Sequence, residues 1–115
     1  MRVTTDMWVS ALLRRAFSAG GFAAVLRKGA SEAGAVFVMT RDRLGNVRLF
    51  GPAPQVSYDE GRPQDRLFQH LPGIQDDASA DRKMEREISF DPDLWLVELE
   101  ADETFVLEAL GITTT

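Results

Sequence analysis

The stretch FDPDLWLVELE, residues 90 to 100, places a bulky apolar run between two pairs of carboxylates. Side chains of a β-strand alternate between its two faces. One face therefore carries Trp95, Val97 and Leu99, and the other begins with leucine and ends with Glu98 and Glu100. Because both faces are apolar at the start of the run, we predict that this strand lies inside a sheet or is covered on both sides. The acids at its far end should emerge where that cover stops.

Three helices are predicted around this strand. The first, DMWVSALLRRAFSA over Asp6–Ala19, has apolar residues at helical spacing, with Thr4 or Thr5 as its cap and Gly20 after its end. A second helix covers about Ala78–Ile88, where Lys83 is set to meet Glu87 one turn later. The segment DETFVLEALG, after the strand, predicts a short third helix.

Three short segments rich in β-formers follow the first helix: FAAVLRKG, GAVFVMTR and NVRLFG. Their order predicts a three-stranded antiparallel meander. Asp65–Leu71, DRLFQHL, reads either as a fourth strand or as a turn of helix, in a proline-rich region without a sustained period. The predicted fold is α+β: an antiparallel sheet of about four to five strands, made of the meander plus the C-terminal strand, with helices packed mainly on one face.

Length and composition restrict the class of protein. With 115 residues and 44% apolar content, residues 1–115 fit a single domain. No apolar run approaches the roughly 20 residues that cross a bilayer, so no membrane partner is expected. The chain contains no cysteine, which suits a reducing compartment and predicts a cytoplasmic protein. No motif indicates a cofactor.

The charge is divided unequally along the chain. Residues 1–50 hold eight Arg and Lys against three Asp and Glu, a net charge of +5, and the other 65 hold five against fifteen, a net charge of −10. The predicted meander gathers arginines at one end of the domain. We predict that a protein partner, either an acidic segment or another copy of this chain, binds there. The residues concerned are Arg14, Arg15, Arg41 and Arg43.

The carboxylates flanking the C-terminal strand are the alternative candidate site, for a divalent metal. Its ligands would be Asp91, Asp93, Glu98 and Glu100. Glu98 and Glu100 share a face at roughly 7 Å along the strand, which is too far to clasp one ion without help from a neighbour. We therefore favour solvated strand ends, with residues 91–93 as an ordinary turn.

Other sequence features favour no catalytic site. His70, the one histidine of the chain, has no serine motif or second histidine to work with and is interpreted as a surface or edge residue. The glycines of GGF and KGASEAG follow a helix or join strands, so they do not form a phosphate loop. The acidic net charge and the lack of interleaved exposed aromatics disfavour nucleic acid.

Four segments carry a resemblance to a known family: DMWVSALLRR, GGFAAVLRKG, LFGPAPQ and EREISFDPDLWLVELE. Through them nearly the whole chain resembles a family of short alphaproteobacterial proteins known only as domain of unknown function 1491. The resemblance implies a small stand-alone cytoplasmic protein, and it supplies no activity and no catalytic residue.

The sequence thus predicts a small interaction or regulatory module without catalysis, which binds an acidic protein segment through its arginines. The alternative is an enzyme that uses the paired carboxylates, with or without a divalent metal.

Overall fold

The computed structural model describes residues 3–54 and 66–112. Within them lie three helices and five strands, in an order that places two helices late in the chain. Their bounds are α1 Thr5–Ser18, β1 Phe22–Arg27, β2 Val36–Arg41, β3 Val47–Pro52, β4 Phe68–Leu71, α2 Asp77–Phe90, β5 Trp95–Glu100 and α3 Glu103–Ala109. The segment after the prolines is therefore a strand rather than a helical turn, although Asp65, where its prediction began, lies outside the described residues.

The five strands form one open mixed sheet in the order β1-β5-β2-β3-β4. The strand β5 pairs antiparallel with β1 and parallel with β2. The α+β class is confirmed, but the predicted antiparallel meander is wrong, because β5 separates β1 from β2. The antiparallel hairpin of β2 and β3 exists, and β4 extends it. The strand β5 lies inside the sheet, as predicted, and helices on the two sides of the sheet cover its two apolar faces.

The helices pack on both faces of the sheet, so the prediction that they lie mainly on one face is wrong. On one face, α1 and α3 pack over a core that includes Leu12, Val97 and Val106. On the other face, α2 packs through Ala80 and Met84 over a second core. The other face of this segment begins with the buried Leu94, just before β5, and ends with Glu98 and Glu100. These two acids are partly buried, so they do not emerge into solvent as fully as predicted.

Local signals explain where the helices begin and end. The hydroxyl of Thr4 accepts a hydrogen bond from the amide of Met7, and α1 ends before Gly20, whose φ of +83° favours glycine. The carboxylate of Asp76 and the side chain of Ser79 form a reciprocal capping box at the start of α2. The predicted ion pair between Lys83 and Glu87 is confirmed at 3.0 Å. No helix within residues 3–54 and 66–112 is both long and apolar enough to cross a membrane.

Trp95 fixes the start of β5 in its place. The indole is 2% exposed and its Nε1 donates a hydrogen bond of 2.8 Å to the carbonyl of Ala30. Its neighbours belong to the core under α1 and α3, whereas Met84 and Ile88 of α2 belong to the core on the other face. The backbone approaches closely here, since a Cβ added to Gly34 would lie 2.9 Å from the indole Cδ1.

We expect Trp95→Ala to lower the free energy of unfolding by about 3 to 5 kcal/mol, the range for a large buried aromatic side chain. Urea denaturation followed by circular dichroism measures this loss. Phe90→Ala serves as the control, because Phe90 is exposed at the end of α2 and its removal should change stability by less than about 0.5 kcal/mol. A loss below about 1 kcal/mol for Trp95→Ala would show that the indole is not part of the core.

Candidate functional site

Arg41 joins three elements at one end of the sheet. It ends β2 and donates two hydrogen bonds to the carboxylate of Asp77, the first residue of α2, at 2.7 Å to Oδ1 and 3.2 Å to Oδ2. Its Nε lies 3.6 Å from Oε2 of Glu98 on β5. Two parallel hydrogen bonds to one carboxylate match the planar geometry of the guanidinium group. Arg41 is therefore engaged within its own chain.

The pKa values of the two carboxylates that contact Arg41 are shifted in opposite directions. The hydrogen bond from Arg41 lowers the pKa of Asp77. Burial, and then the neighbouring Glu100, raise the pKa of Glu98 above its ordinary 4.5, although Arg41 partly opposes them. Asp77 therefore stabilises the fold above its ordinary pKa, and this contribution is lost as pH falls. Glu98 binds its proton more tightly in the folded state, so its contribution is lost as pH rises through its raised pKa.

The other predicted arginines remain at the surface. Arg14 and Arg15 are exposed on α1, and the guanidinium of Arg15 lies 5.6 Å from the centroid of the Phe105 ring. Arg43 is exposed in the turn between β2 and β3. Arg48, on β3, pairs with Glu103 at 3.2 Å.

Sheet register places these arginines at the same end of the domain. Phe22, just after α1, lies opposite Glu100, and Thr40 lies beside Leu99, so the end of α1 and the end of β2 meet at the end of β5. The arginines lie on two different faces of the sheet, however, because α1 covers one face and Arg41 contacts α2 on the other. We call Arg14, Arg15, Arg41 and Arg43 the arginine end.

The four candidate metal ligands lie at opposite ends of β5. Asp91 and Asp93 precede the strand, where the carboxylate of Asp91 accepts a hydrogen bond from the amide of Asp93 at 3.1 Å in the predicted turn. Glu98 and Glu100 lie near its other end. The part of the chain that the structure describes contains no group of three or more His, Cys, Asp or Glu side chains arranged to hold a metal ion.

His70 lies on β4 with its ring 5.5 Å from the ring of Phe50 across the strand pair. It is exposed, as the sequence analysis interpreted it. A groove on the other face, with a volume of about 400 Å³, lies between α2 and the β3–β4 pair. Its floor includes Phe37 and Leu71, and its rim includes the Lys83–Glu87 ion pair. Neither Glu98 nor Glu100 lines this groove.

Arg66 is a half-buried cation that sequence reasoning missed. Its guanidinium donates hydrogen bonds to the hydroxyl of Thr5 and to the carbonyl of Gly34, and it lies 5.8 Å from the Trp8 ring. Burial lowers the pKa of this arginine. The hydroxyl of Thr5 also donates to Gly34, so these residues connect the start of α1 to the segment before β2. The local sequence gives no sign that Arg66, which follows a run of polar residues, is partly buried.

An apolar edge of the sheet is the second exposed feature. The strand β1 is the last strand on its side of the sheet. Four exposed apolar side chains lie on it or beside it at the end of α1: Phe17, Phe22, Val25 and Leu26. We call these residues the β1 edge. The rings of Phe17 and Phe22 pack edge to face, with centroids 6.0 Å apart.

These features define a small α+β domain whose helices cover both faces of an open five-stranded mixed sheet. The sequence matches the family described as "Protein of unknown function (DUF1491)" over residues 3–107, and the chain belongs to this family. The resemblance seen in the sequence is thereby confirmed. A search of curated proteins gives no match.

Solved structures with the same fold come from two bacteria. The solution structure of a protein from A. tumefaciens is 45% identical, with a TM-score of 0.82, and the match covers 100% of this chain and 98% of that one. A crystal structure of a DUF1491 family protein from Caulobacter crescentus is 40% identical, with a TM-score of 0.71, over 87% of this chain and 88% of that one. An NMR structure from Caulobacter crescentus is 39% identical, with a TM-score of 0.71, over 90% and 89%.

We expect Glu98→Gln to raise the melting temperature at neutral pH and to leave it nearly unchanged below pH 4.5, where Glu98 of the wild-type chain already carries its proton because its pKa is raised. The reason is that a partly buried carboxylate beside Glu100 is costly when ionised, whereas the amide has the same shape without the charge. Thermal melts across this pH range measure the difference.

The matched control for this experiment is Glu85→Gln, which makes the same change of charge at an exposed position of α2. Its difference from the wild type should show no comparable dependence on pH. A lower melting temperature for Glu98→Gln at neutral pH would mean that the contact with Arg41 outweighs the cost of burial.

Proposed function

We propose that this chain is a small cytoplasmic protein-interaction module without catalysis, which binds an acidic protein segment at the arginine end. The observation that carries the proposal is that the residues of the arginine end differ in their ion pairs. Arg41 is held by Asp77 and Glu98, whereas Arg14 and Arg43 form no ion pair with any residue in the described ranges. Arg41 therefore fixes the shape of this end, and the exposed arginines contact the ligand.

Local interactions of the neighbouring acids support this assignment. Asp42 accepts hydrogen bonds from the amides of Leu44 and Asn46 and from the Asn46 side chain, so it shapes the turn that carries Arg43. Asp102 caps α3, and Glu103 pairs with Arg48. Since these acids already have partners, they compete less for Arg14 and Arg43 than their number suggests.

Guanidinium chemistry favours an acidic peptide as the ligand. Each exposed arginine presents a planar set of donors that matches a carboxylate, and Arg15 beside the Phe105 ring adds an apolar surface. A segment that crosses the end of the sheet can meet α1 and the β2–β3 turn together, because both lie at the end of β5. Carboxylates at spaced positions of one extended segment suit this arrangement.

The enzyme alternative has weaker support. The raised pKa of Glu98 and its neighbour Glu100 resemble a carboxylate pair used for proton transfer. However, the side chain of Glu98 is turned toward Arg41 and α2, and it does not line the groove between α2 and the β3–β4 pair. A catalytic carboxylate needs a space where a substrate reaches it. We therefore place the function in recognition.

We expect the double variant Arg14→Glu/Arg43→Glu to weaken binding of a fluorescent oligo-glutamate peptide by about tenfold or more, the effect of losing roughly one charge-assisted contact. Fluorescence anisotropy at low salt measures the affinity. The melting temperature should stay unchanged, because both side chains are exposed.

The matched control is Arg82→Glu/Arg86→Glu on α2, which changes the net charge equally at two exposed arginines away from the proposed site. Equal weakening by both double variants would show that the peptide responds only to overall charge, and the proposal would fail. Binding by the wild-type chain too weak to measure would contradict it as well.

A further inference from the structure

The β1 edge combines open backbone with exposed apolar side chains. The structure exposes seven large apolar side chains among the residues it describes, and four of them form this edge. Phe17 is 55% exposed, Leu26 is 48% exposed and Phe22 is 45% exposed. A strand at the end of a sheet also leaves backbone donors and acceptors unpaired on its outer side, which makes it a template for another strand.

The devices that usually protect such an edge are mostly missing from β1. Natural edge strands carry lysine, proline or inward-pointing charges, or they bend at a bulge. The sequence Phe22–Leu26, FAAVL, contains neither a charged residue nor a proline. A register shift occurs between Val25 and Arg27, so the regular part of the strand begins at Phe22 and ends near Val25. This regular part is where a second strand can pair.

We infer that two copies of this chain associate through their β1 strands, which pair antiparallel about a two-fold axis and join the two sheets into one. In a continuous sheet, residues opposite each other lie on the same face. An axis at Ala24 satisfies this condition, because it sets Ala23 opposite Val25 of the second copy within the regular part of the strand. Phe22 then lies near Leu26 of the second copy, where the register shift begins. The side chain of Ala24 at the axis is small, so the larger side chains of the two β1 edges can pack against one another beside it.

Charge explains why a second copy is the occupant. Phe22 lies opposite Glu100 on β5, so a carboxylate lies beside the first residue of β1. The other end leads into the exposed Lys28, while Arg27 is turned inward to the carbonyl of Pro92. An antiparallel pair therefore brings Lys28 of each copy toward Glu100 of the other. A parallel pair would instead bring the two Glu100 carboxylates toward each other.

This dimer goes beyond the proposed recognition of an acidic segment and uses a different surface. The α1 and β1 residues at its centre are apolar, whereas the arginine end is charged. A two-fold contact uses the same patch on both copies, so each substitution in it acts twice.

Cross-linking tests the position of the axis. The chain has no cysteine, so Ala24→Cys introduces one thiol per copy. Opposite residues on paired strands have Cβ atoms about 4.5 to 5.5 Å apart, close to the distance that a disulfide spans. Mild oxidation should convert Ala24→Cys into a covalent dimer. Leu44→Cys is the control, because Leu44 is 87% exposed at a turn and should cross-link less in spite of its greater exposure.

Sedimentation from micromolar to millimolar concentration tests the association itself. The wild-type chain should dimerise, and Leu26→Lys should raise the dissociation constant about a hundredfold, because it places two buried charges in the contact. Phe90→Lys, at an exposed apolar residue outside the β1 edge, should not change it. Arg14→Glu/Arg43→Glu should also dimerise normally. A failure of the peptide-binding experiment would therefore contradict the proposed function without contradicting the dimer.

Three results would overturn the inference. The first is a wild-type chain that stays monomeric throughout the range. The second is a dimer that Leu26→Lys leaves intact while the melting temperature shows that the variant is folded. The third is cross-linking of Leu44→Cys that equals or exceeds that of Ala24→Cys.

Discussion

The burial of both faces of β5 is the constraint on which the rest of the structure depends. The segment between β1 and β2 holds the start of this strand through three hydrogen bonds: Trp95 N to Ala35 O at 2.7 Å, Trp95 Nε1 to Ala30 O at 2.8 Å, and Ala30 N to Asp93 O at 2.9 Å. An added Cβ at Gly34 would disturb this contact, so glycine is needed there. The strand β5 pairs with β1 on one side and with β2 on the other, so it joins the edge strand to the rest of the sheet.

The position of β5 also shapes both proposed contact surfaces. It carries Glu98 to Arg41, which fixes the end of β2 and the start of α2. It also places Glu100 opposite Phe22, so a carboxylate lies beside the first residue of the β1 edge. One strand therefore positions the acid that holds Arg41 and the acid beside the edge.

The sequence allowed the local structure to be predicted and left the pairing of strands undetermined. Helical spacing and capping residues predicted α1 within one residue at each end, and period-two alternation predicted the burial of Trp95. The two apolar faces of β5 predicted its interior position, but its insertion between β1 and β2 was not predicted, because consecutive strands usually pair. The same limit applies to Arg41: its pairing with Asp77, 36 residues away, depends on where α2 packs. The burial of Arg66 is likewise a product of tertiary contacts.

Native-state hydrogen exchange followed by NMR tests the central claim, that β5 holds the sheet together. Amides in strands that open only by global unfolding exchange with the full free energy of unfolding, whereas weaker units exchange by partial opening. The amides of Val97 on β5 and Val38 on β2 should exchange with the free energy measured by denaturation, and those of the four-residue edge strand β4 should exchange with a lower one. If Val97 exchanges through partial opening while the β2–β3 hairpin remains protected, then β5 is a peripheral strand and the account is contradicted.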